Sequence, residues 1–185
     1  MNKFIIIEGI DNVGKDTQQK LIIKRQPHLT FQTLHYSTLP FKSADFYKSY
    51  SAKMYDDMFK MMIGLKDSEI SLIFNRSHLG ETVYSPLYRD YSGDYIFDIE
   101  KEYVNDLKDK LYLITLVGDP NIIQKRDDGL SHSSKLEDIQ REVDLFTTAH
   151  RKSNIKNKIL INIGSMSITG VNDIIMDFLR EKNIF

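Results

Sequence analysis

Apolar residues in this chain follow two rhythms that alternate from one end to the other: short unbroken runs, and longer stretches in which they recur every three or four positions. The first run, Phe4 to Ile7, is far below the length of a signal-peptide core or a membrane span and reads as a buried strand. Four further runs read the same way, at Thr30 to Tyr36, Glu69 to Phe74, Leu111 to Val117 and Lys158 to Ile163. In a run such as Leu111 to Val117 the apolarity is continuous rather than alternating. Such strands are expected to be covered on both faces, as in a parallel sheet.

The intervals predict helices. The first is expected to begin within Gly14 to Thr17 and to turn Leu21, Ile22 and Ile23 at least partly toward the sheet. It should stop before Pro27, whose ring removes a donor and disfavours helix in the preceding residue. A longer helix starts near Ser43 and carries Phe46, Tyr50, Met54, Met58 and Met62 at steps of four, an apolar stripe expected to pack in the core, with Gly64 able to close it. Asp119 and Pro120 form a helix-start pair, a capping carboxylate followed by a proline at the first helical position. The polar stretch Asp127 to Lys135 is expected to be mobile, helix resumes from Leu136 to about Lys152, and Gly170 to Lys182 makes a terminal amphipathic helix. Strand and helix alternate throughout, which predicts a three-layer α/β/α sandwich on a mostly parallel, five-stranded sheet. At 185 residues one domain spans the chain, without repeat, linker or low-complexity block.

Composition narrows the chemistry. Hydrophobic residues at 41% and charged residues at 28% are the balance of a soluble globular protein, and a net charge of −1 provides no field to draw the chain to nucleic acid or anionic lipid. Any phosphate binding must come from local groups. The absence of cysteine removes disulfides, zinc-thiolate sites and thiol nucleophiles, and leaves a cytoplasmic location as the default.

The local groups stand directly after the first strand. Phe4 to Thr17 reads FIIIEGIDNVGKDT, in which Gly9, Gly14 and Lys15 fit GxxxxGK between a strand and a helix. Glycines let the backbone curl so that amide protons point inward, and the following helix adds its positive end. Gly9, Ile10, Asp11, Asn12, Val13, Gly14, Lys15, Asp16 and Thr17 would together hold the phosphates of ATP, with Lys15 bridging the β- and γ-oxygens. The residue after Lys15 is Asp16, where a serine or threonine hydroxyl normally ligates Mg²⁺. Its carboxylate is a hard oxygen donor that could take the ion instead, and Thr17 remains as a nearby hydroxyl.

With this loop the chain resembles the thymidylate kinase family of P-loop kinases, and more distantly the deoxynucleoside kinases. EGIDNVGKDTQ, Glu8 to Gln18, is similar to the family's EGxDxxGK(S/T)TQ signature, and the resemblance places Asp11 near the acceptor's 3′-hydroxyl. Leu39 to Ser43 resembles the family's proline-x-arginine-serine segment, with Lys42 in place of the arginine that grips the acceptor phosphate. IFNRSHLGETVY, Ile73 to Tyr84, sits where the family has its aspartate-arginine motif: Arg76 aligns with the arginine on the acceptor phosphate, and Asn75 replaces the aspartate. A carboxylate is thus missing at Asn75 just as an extra one arrives at Asp16, and the two changes are expected to compensate around Mg²⁺. Tyr84 aligns with an aromatic bordering the nucleobase, with Tyr88 and Arg89 close behind. LVGDPNIIQKRDDG resembles the family's strand, aspartate-proline helix and arginine-bearing lid, here at about 125–137. Because Asn12 leaves the P-loop without its occasional arginine, the resemblance assigns γ-phosphate neutralisation to Arg126 first, and to Lys125 or Lys135 second. The interval from Ser43 to Glu69 contains no arginine to take the family's base-reading part.

The resemblance implies an ATP-dependent nucleoside monophosphate kinase of nucleotide biosynthesis, with Mg²⁺ as cofactor, dTMP as the leading acceptor and a homodimer as its assembly. Lys15, Arg76 and Arg126 would be catalytic, and Asp11, Lys42, Arg76, Tyr84 and Arg89 would bind the acceptor. Two alternatives stay open. A deoxynucleoside kinase would attack through a 5′-hydroxyl and would profit from a base such as Glu81. A non-catalytic P-loop nucleotide-binding protein is the other. A GTP-binding switch is disfavoured, because no NKxD occurs and the DxxG-like Asp90 to Gly93 does not follow a strand.

Overall fold

The computed structural model describes residues 2–27, 29–35, 43–127, 129, 131 and 134–181. The end of the expected second strand at Tyr36, the acceptor-phosphate segment from Leu39 to Lys42, part of the expected lid, and the last helix's expected end at Lys182 lie outside them. The strands are β1 (Phe4–Gly9), β2 (Phe31–His35), β3 (Ser71–Asn75), β4 (Leu111–Val117) and β5 (Asn157–Asn162). All pair in parallel, in the order β2-β3-β1-β4-β5, so each continuous apolar run becomes a strand of one sheet. The central strands β1, β3 and β4 are buried along their whole length, as the lack of alternation requires.

Among the described residues seven helices cover the sheet: α1 (Lys15–Arg25), α2 (Ala44–Leu65), α3 (Leu79–Tyr88), α4 (Ile96–Leu107), α5 (Pro120–Lys125), α6 (Leu136–Lys152) and α7 (Ile168–Glu181). Right-handed crossovers fix their sides. The step from β1 to β2 moves opposite to every later step across the sheet, so α1 lies on one face, where it packs against α7. The helices α2, α3, α4 and α6 share the other face and pack on one another. The result is the three-layer α/β/α sandwich expected from the alternation.

Two expectations for α2 need correction. Phe46 and Tyr50 are 45% and 38% exposed, whereas the buried row is Tyr47, Ser51, Tyr55, Met58, Phe59 and Met62. A helix turns about 100° per residue, so a strict step of four drifts by about 40° each time and cannot keep to one face over 22 residues. The buried row mixes steps of four and three. Nor does Gly64 close the helix: it stays inside a helix ending at Leu65, and Lys66 caps it in right-handed conformation with its N–H on Ile63 O. Other boundaries follow chemistry visible in the sequence. Ser43 accepts from the Phe46 N–H as N-cap of α2, and Asp119 caps α5 ahead of Pro120.

Candidate functional site

Parallel strands deliver their C-terminal ends to one edge of the sheet, and the connections leaving the neighbours β1 and β3 run in opposite directions across it. The loops after β1 and β3 therefore meet at a switch point, where open α/β sheets bind ligands. The β1–α1 loop is set by two glycines. Gly9 has φ 141° and stands opposite Leu116 in the sheet register, and a Cβ there would lie 2.0 Å from the Leu116 carbonyl oxygen. Asn12 and Gly14 are left-handed, with φ 61° and 86°, which turns the loop back onto the start of α1. Gly14 is the N-cap and supplies no side chain, so no side-chain oxygen takes the first amide protons of α1. Ile10 and Val13 anchor the loop in the core.

Lys15 is only 6% exposed. Its Nζ donates to the carbonyls of Gly9 at 2.9 Å and Ile10 at 2.6 Å and lies 4.0 Å from Asp11 Oδ1. Burial, helped by the nearby Arg76 charge, pushes its pKa down to about 8, against the opposing pull of Asp11, Glu8 and Asp16. Arg76 follows β3, with left-handed φ 68° and its N–H on the Ile7 carbonyl at 3.0 Å, so the turn that aims it is tied back to β1. Its Nη2 stands 3.1 Å from the same Asp11 Oδ1, a charge contact that falls short of hydrogen-bond geometry. Its Nε is buried with no hydrogen-bond partner among the described residues. Asp11 thus separates two cations that face the same space.

Beyond Arg76 a cleft of about 570 Å³, open mouth included, runs between α2 and α3. Its walls are aromatic: Tyr47, Tyr50, Tyr55 and Tyr84, with Met54 among them. Tyr84 is nearly buried, edge-on to Phe146 and stacked near Tyr88 at centroid distances of 5.8 and 6.2 Å. The polar floor is Glu81, 2% exposed, which accepts from Arg89 Nη1 at 3.1 Å, Tyr91 OH at 2.6 Å and Tyr95 OH at 2.8 Å. Arg89 also lies over the Tyr47 ring, 4.1 Å from its centroid. With three donors on it, Glu81 is held as a hydrogen-bond acceptor. Gly93 makes this possible: a Cβ there would fall 2.2 Å from the Glu81 carbonyl oxygen, and the close approach carries Tyr91 and Tyr95 onto the carboxylate. Glu8, at the end of β1, lines the cleft, with its pKa raised chiefly by burial, and accepts from the Gly80 N–H at 3.4 Å.

On the other side of the P-loop, a groove is walled by Asn12, Val13, Gly14 and Thr17, by Arg126 at the end of α5, and by Ile163, Met166 and Ile168 after β5. The described part of the segment expected to be a lid is tied to the loop. Asn12 Nδ2 donates to Ser131 Oγ at 2.7 Å, and Ser131 Oγ donates to Asp127 Oδ1 at 2.8 Å. Asp16, exposed in the first turn of α1, accepts from Asn75 Nδ2, which also donates to Gln19 Oε1 at 2.9 Å.

The structure therefore brings Lys15, Asp11 and Arg76 together and puts Tyr84 and Arg89 on the adjoining cleft. Asp16 and Asn75 are in direct contact. Arg126 stands apart from Arg76, on the far groove, and Lys42 lies outside the described residues. Sequence reasoning did not single out Tyr47, Ser51, Tyr55, Tyr91 and Tyr95, or the loop after β5. The signal for the first three was the second step-of-four row of α2, one residue along from the row chosen. The loop after β5 had no local signal, because only the sheet order places it beside the P-loop. Among the described residues no three or more acidic or histidine side chains cluster as a metal cage, and no helix is long and apolar enough to cross a membrane.

The sequence matches no family model and no curated protein. Its backbone is similar to that of the YorR protein from Bacillus subtilis, solved in complex with phosphorylated GDP, at 18% identity and a TM-score of 0.71 over 99% of each chain. It is also similar to the thymidylate kinase from Candida albicans, at 14% identity and a TM-score of 0.64, over 99% of this chain and 93% of that one. At these identities the likeness establishes the fold alone, a three-layer α/β/α sandwich on a five-stranded parallel sheet.

Proposed function

We propose that the protein is an ATP-dependent nucleoside monophosphate kinase, with dTMP as its leading acceptor. One observation carries the reading: a phosphate-shaped loop with a buried lysine adjoins an aromatic cleft, and at their junction stands Arg76, whose buried Nε is unspent. A donor triphosphate on the loop and a monophosphate beside Arg76 would meet across Asp11. An acceptor phosphate oxygen then attacks the γ-phosphorus in line, the bond to the β-bridging oxygen breaks, and ADP leaves. The attacking oxygen is already an anion, so no general base is needed. Lys15 and Arg76 hold charge and geometry, and Arg126, on the donor groove, is the lid's cation. Asp16, with Thr17 near, would hold Mg²⁺, which keeps most of its shell as phosphate oxygens and water and so needs few protein donors. Bound there, the ion would offset charge on the β- and γ-phosphates.

The engagement of Glu81 by Arg89, Tyr91 and Tyr95 weighs against the nucleoside kinase alternative, which would need it free as a base. The relatives keep two bases in view, because one is a thymidylate kinase and the other was solved with a phosphorylated guanine nucleotide. The test is an ATP-coupled assay across dTMP, dUMP, dGMP, dCMP and the free nucleosides. Monophosphates should turn over and nucleosides should not, with dTMP fastest, and Arg76→Ala should lower kcat/KM by about 10²–10³. Turnover of nucleosides in preference to monophosphates would refute the reading.

A further inference from the structure

The contact between Asp16 and Asn75 concerns the metal, and it rests on the phosphotransferase reading above. A P-loop normally follows its lysine with a hydroxyl that takes Mg²⁺. Here a carboxylate stands at that position, exposed in the first turn of α1, and an amide from the end of β3 reaches across to it. Both amide protons of Asn75 are spent on that turn, one on Asp16 Oδ1 and one on Gln19 Oε1 at 2.9 Å. Its own Oδ1 is left buried without a hydrogen-bond partner among the described residues, although Asn75 is 1% exposed. An asparagine that merely filled a strand end would be expected to satisfy its oxygen as well.

We infer that Asp16 is this chain's protein ligand for the Mg²⁺ of the nucleotide, and that Asn75 is the positioning residue that fixes its carboxylate. The amide holds Oδ1, and Oδ2, which takes part in no hydrogen bond among the described residues, is the oxygen offered to the ion. The choice of amide follows from charge. An aspartate at position 75 would set two carboxylates at hydrogen-bond distance, and like charges that close cannot both stay ionised without a cation between them. With Asn75 the pair contains a single carboxylate, and no cation is needed to separate two. Positions 16 and 75 thus form one unit, with the carboxylate on the helix and the neutral donor on the strand.

The experiment is calorimetric titration of Mg²⁺ into protein saturated with a non-hydrolysable ATP analogue, with thermal unfolding recorded with and without the ion. The wild type is compared with Asp16→Asn, Asp16→Ser, Asn75→Asp and the double variant Asp16→Ser/Asn75→Asp. The substitution Asp16→Asn, isosteric and exposed, should bind the metal-free analogue at least as tightly as wild type and weaken Mg²⁺ about tenfold or more. Asn75→Asp should unfold earlier than wild type without metal and recover when Mg²⁺ is added. The double variant, which moves the carboxylate to the strand, should regain Mg²⁺ affinity to within about threefold of wild type, a non-additive result. Wild-type Mg²⁺ affinity in Asp16→Asn, or losses that simply add in the double variant, would overturn the assignment while leaving the kinase reading intact. Failure of wild type to hold the metal-free analogue would remove both.

Discussion

At Gly9 the strand must end and the phosphate loop begin within one residue. The left-hand φ of 141° and the 2.0 Å approach to Leu116 O leave no room for any side chain. Gly9→Ala is therefore expected to cost about 2–5 kcal/mol, as backbone strain and overpacking combine, and to abolish nucleotide binding. Chemical denaturation and an analogue-binding titration check both parts. Lys15, six residues on, carries a different signature. Its ammonium is disfavoured in the free protein, with a pKa of about 8, whereas a triphosphate beside it would restore the charged form. The folded value lies below the ordinary 10.5, so the unfolded chain binds more protons between those values, and stability from this group rises with pH across that window. Nucleotide binding runs the other way: above about pH 8 it must take up a proton, so affinity should fall as pH rises. Calorimetry in buffers of different ionisation enthalpy should read an uptake approaching one proton near pH 9, whereas Lys15→Arg, which stays charged, should read none.

At the scale of elements, the α3–α6 contact holds a second titrating group. Glu142 of α6 is 3% exposed and accepts from Tyr88 OH of α3 at 2.7 Å. Burial, with help from the Asp11 charge, raises its pKa to about 7, while the Tyr88 hydrogen bond and Lys15 pull downward. The folded protein therefore holds this proton where the unfolded chain has lost it, and stability should fall as pH rises from the ordinary 4.5 through about 7. Glu142→Gln should remove that slope and stabilise the protein above pH 7 by on the order of 2–3 kcal/mol; unfolding curves that keep the wild-type slope would show that another group carries it. Glu142 was not singled out from the sequence, since only packing reveals that its position on α6 is dry. The five strands were legible because buried parallel strands have no alternation to hide them. The P-loop was legible because its glycines and lysine are contiguous. The face of α2 was not, because its 22 residues offer two apolar rows one residue apart, and tertiary partners, α4 with His78 and Arg89, select between them. The Asp90 to Gly93 segment mimicked a switch motif in sequence. In the fold it is the close turn that brings Tyr91 and Tyr95 to Glu81.

Across the whole molecule, the groove beyond the P-loop draws on parts of the chain that are far apart in sequence. The P-loop opens α1, Arg126 ends α5, and Ile163, Met166 and Ile168 lead into α7, which packs on α1. A nucleotide bound there would tie these elements to one another, so its binding energy should appear as resistance to global unfolding rather than as local order. With ATP at a hundred times its dissociation constant the gain is about 2.7 kcal/mol. For a chain of 185 residues that converts to a rise in Tm of about 5–10 °C. The order among ligands discriminates between the two halves of the site. If the loop around Gly9 to Lys15 provides most of the grip, ATP and ADP should raise Tm at concentrations where AMP does little, because only they put a β-phosphate on it. If the apolar wall after β5 dominates, the three nucleotides should act alike, and adenosine with them. Thermal unfolding with matched concentrations of ATP, ADP, AMP and adenosine reads the difference directly. Equal shifts from all four would move recognition from the phosphate loop to the base, and with it the basis for reading the chain as a phosphotransferase.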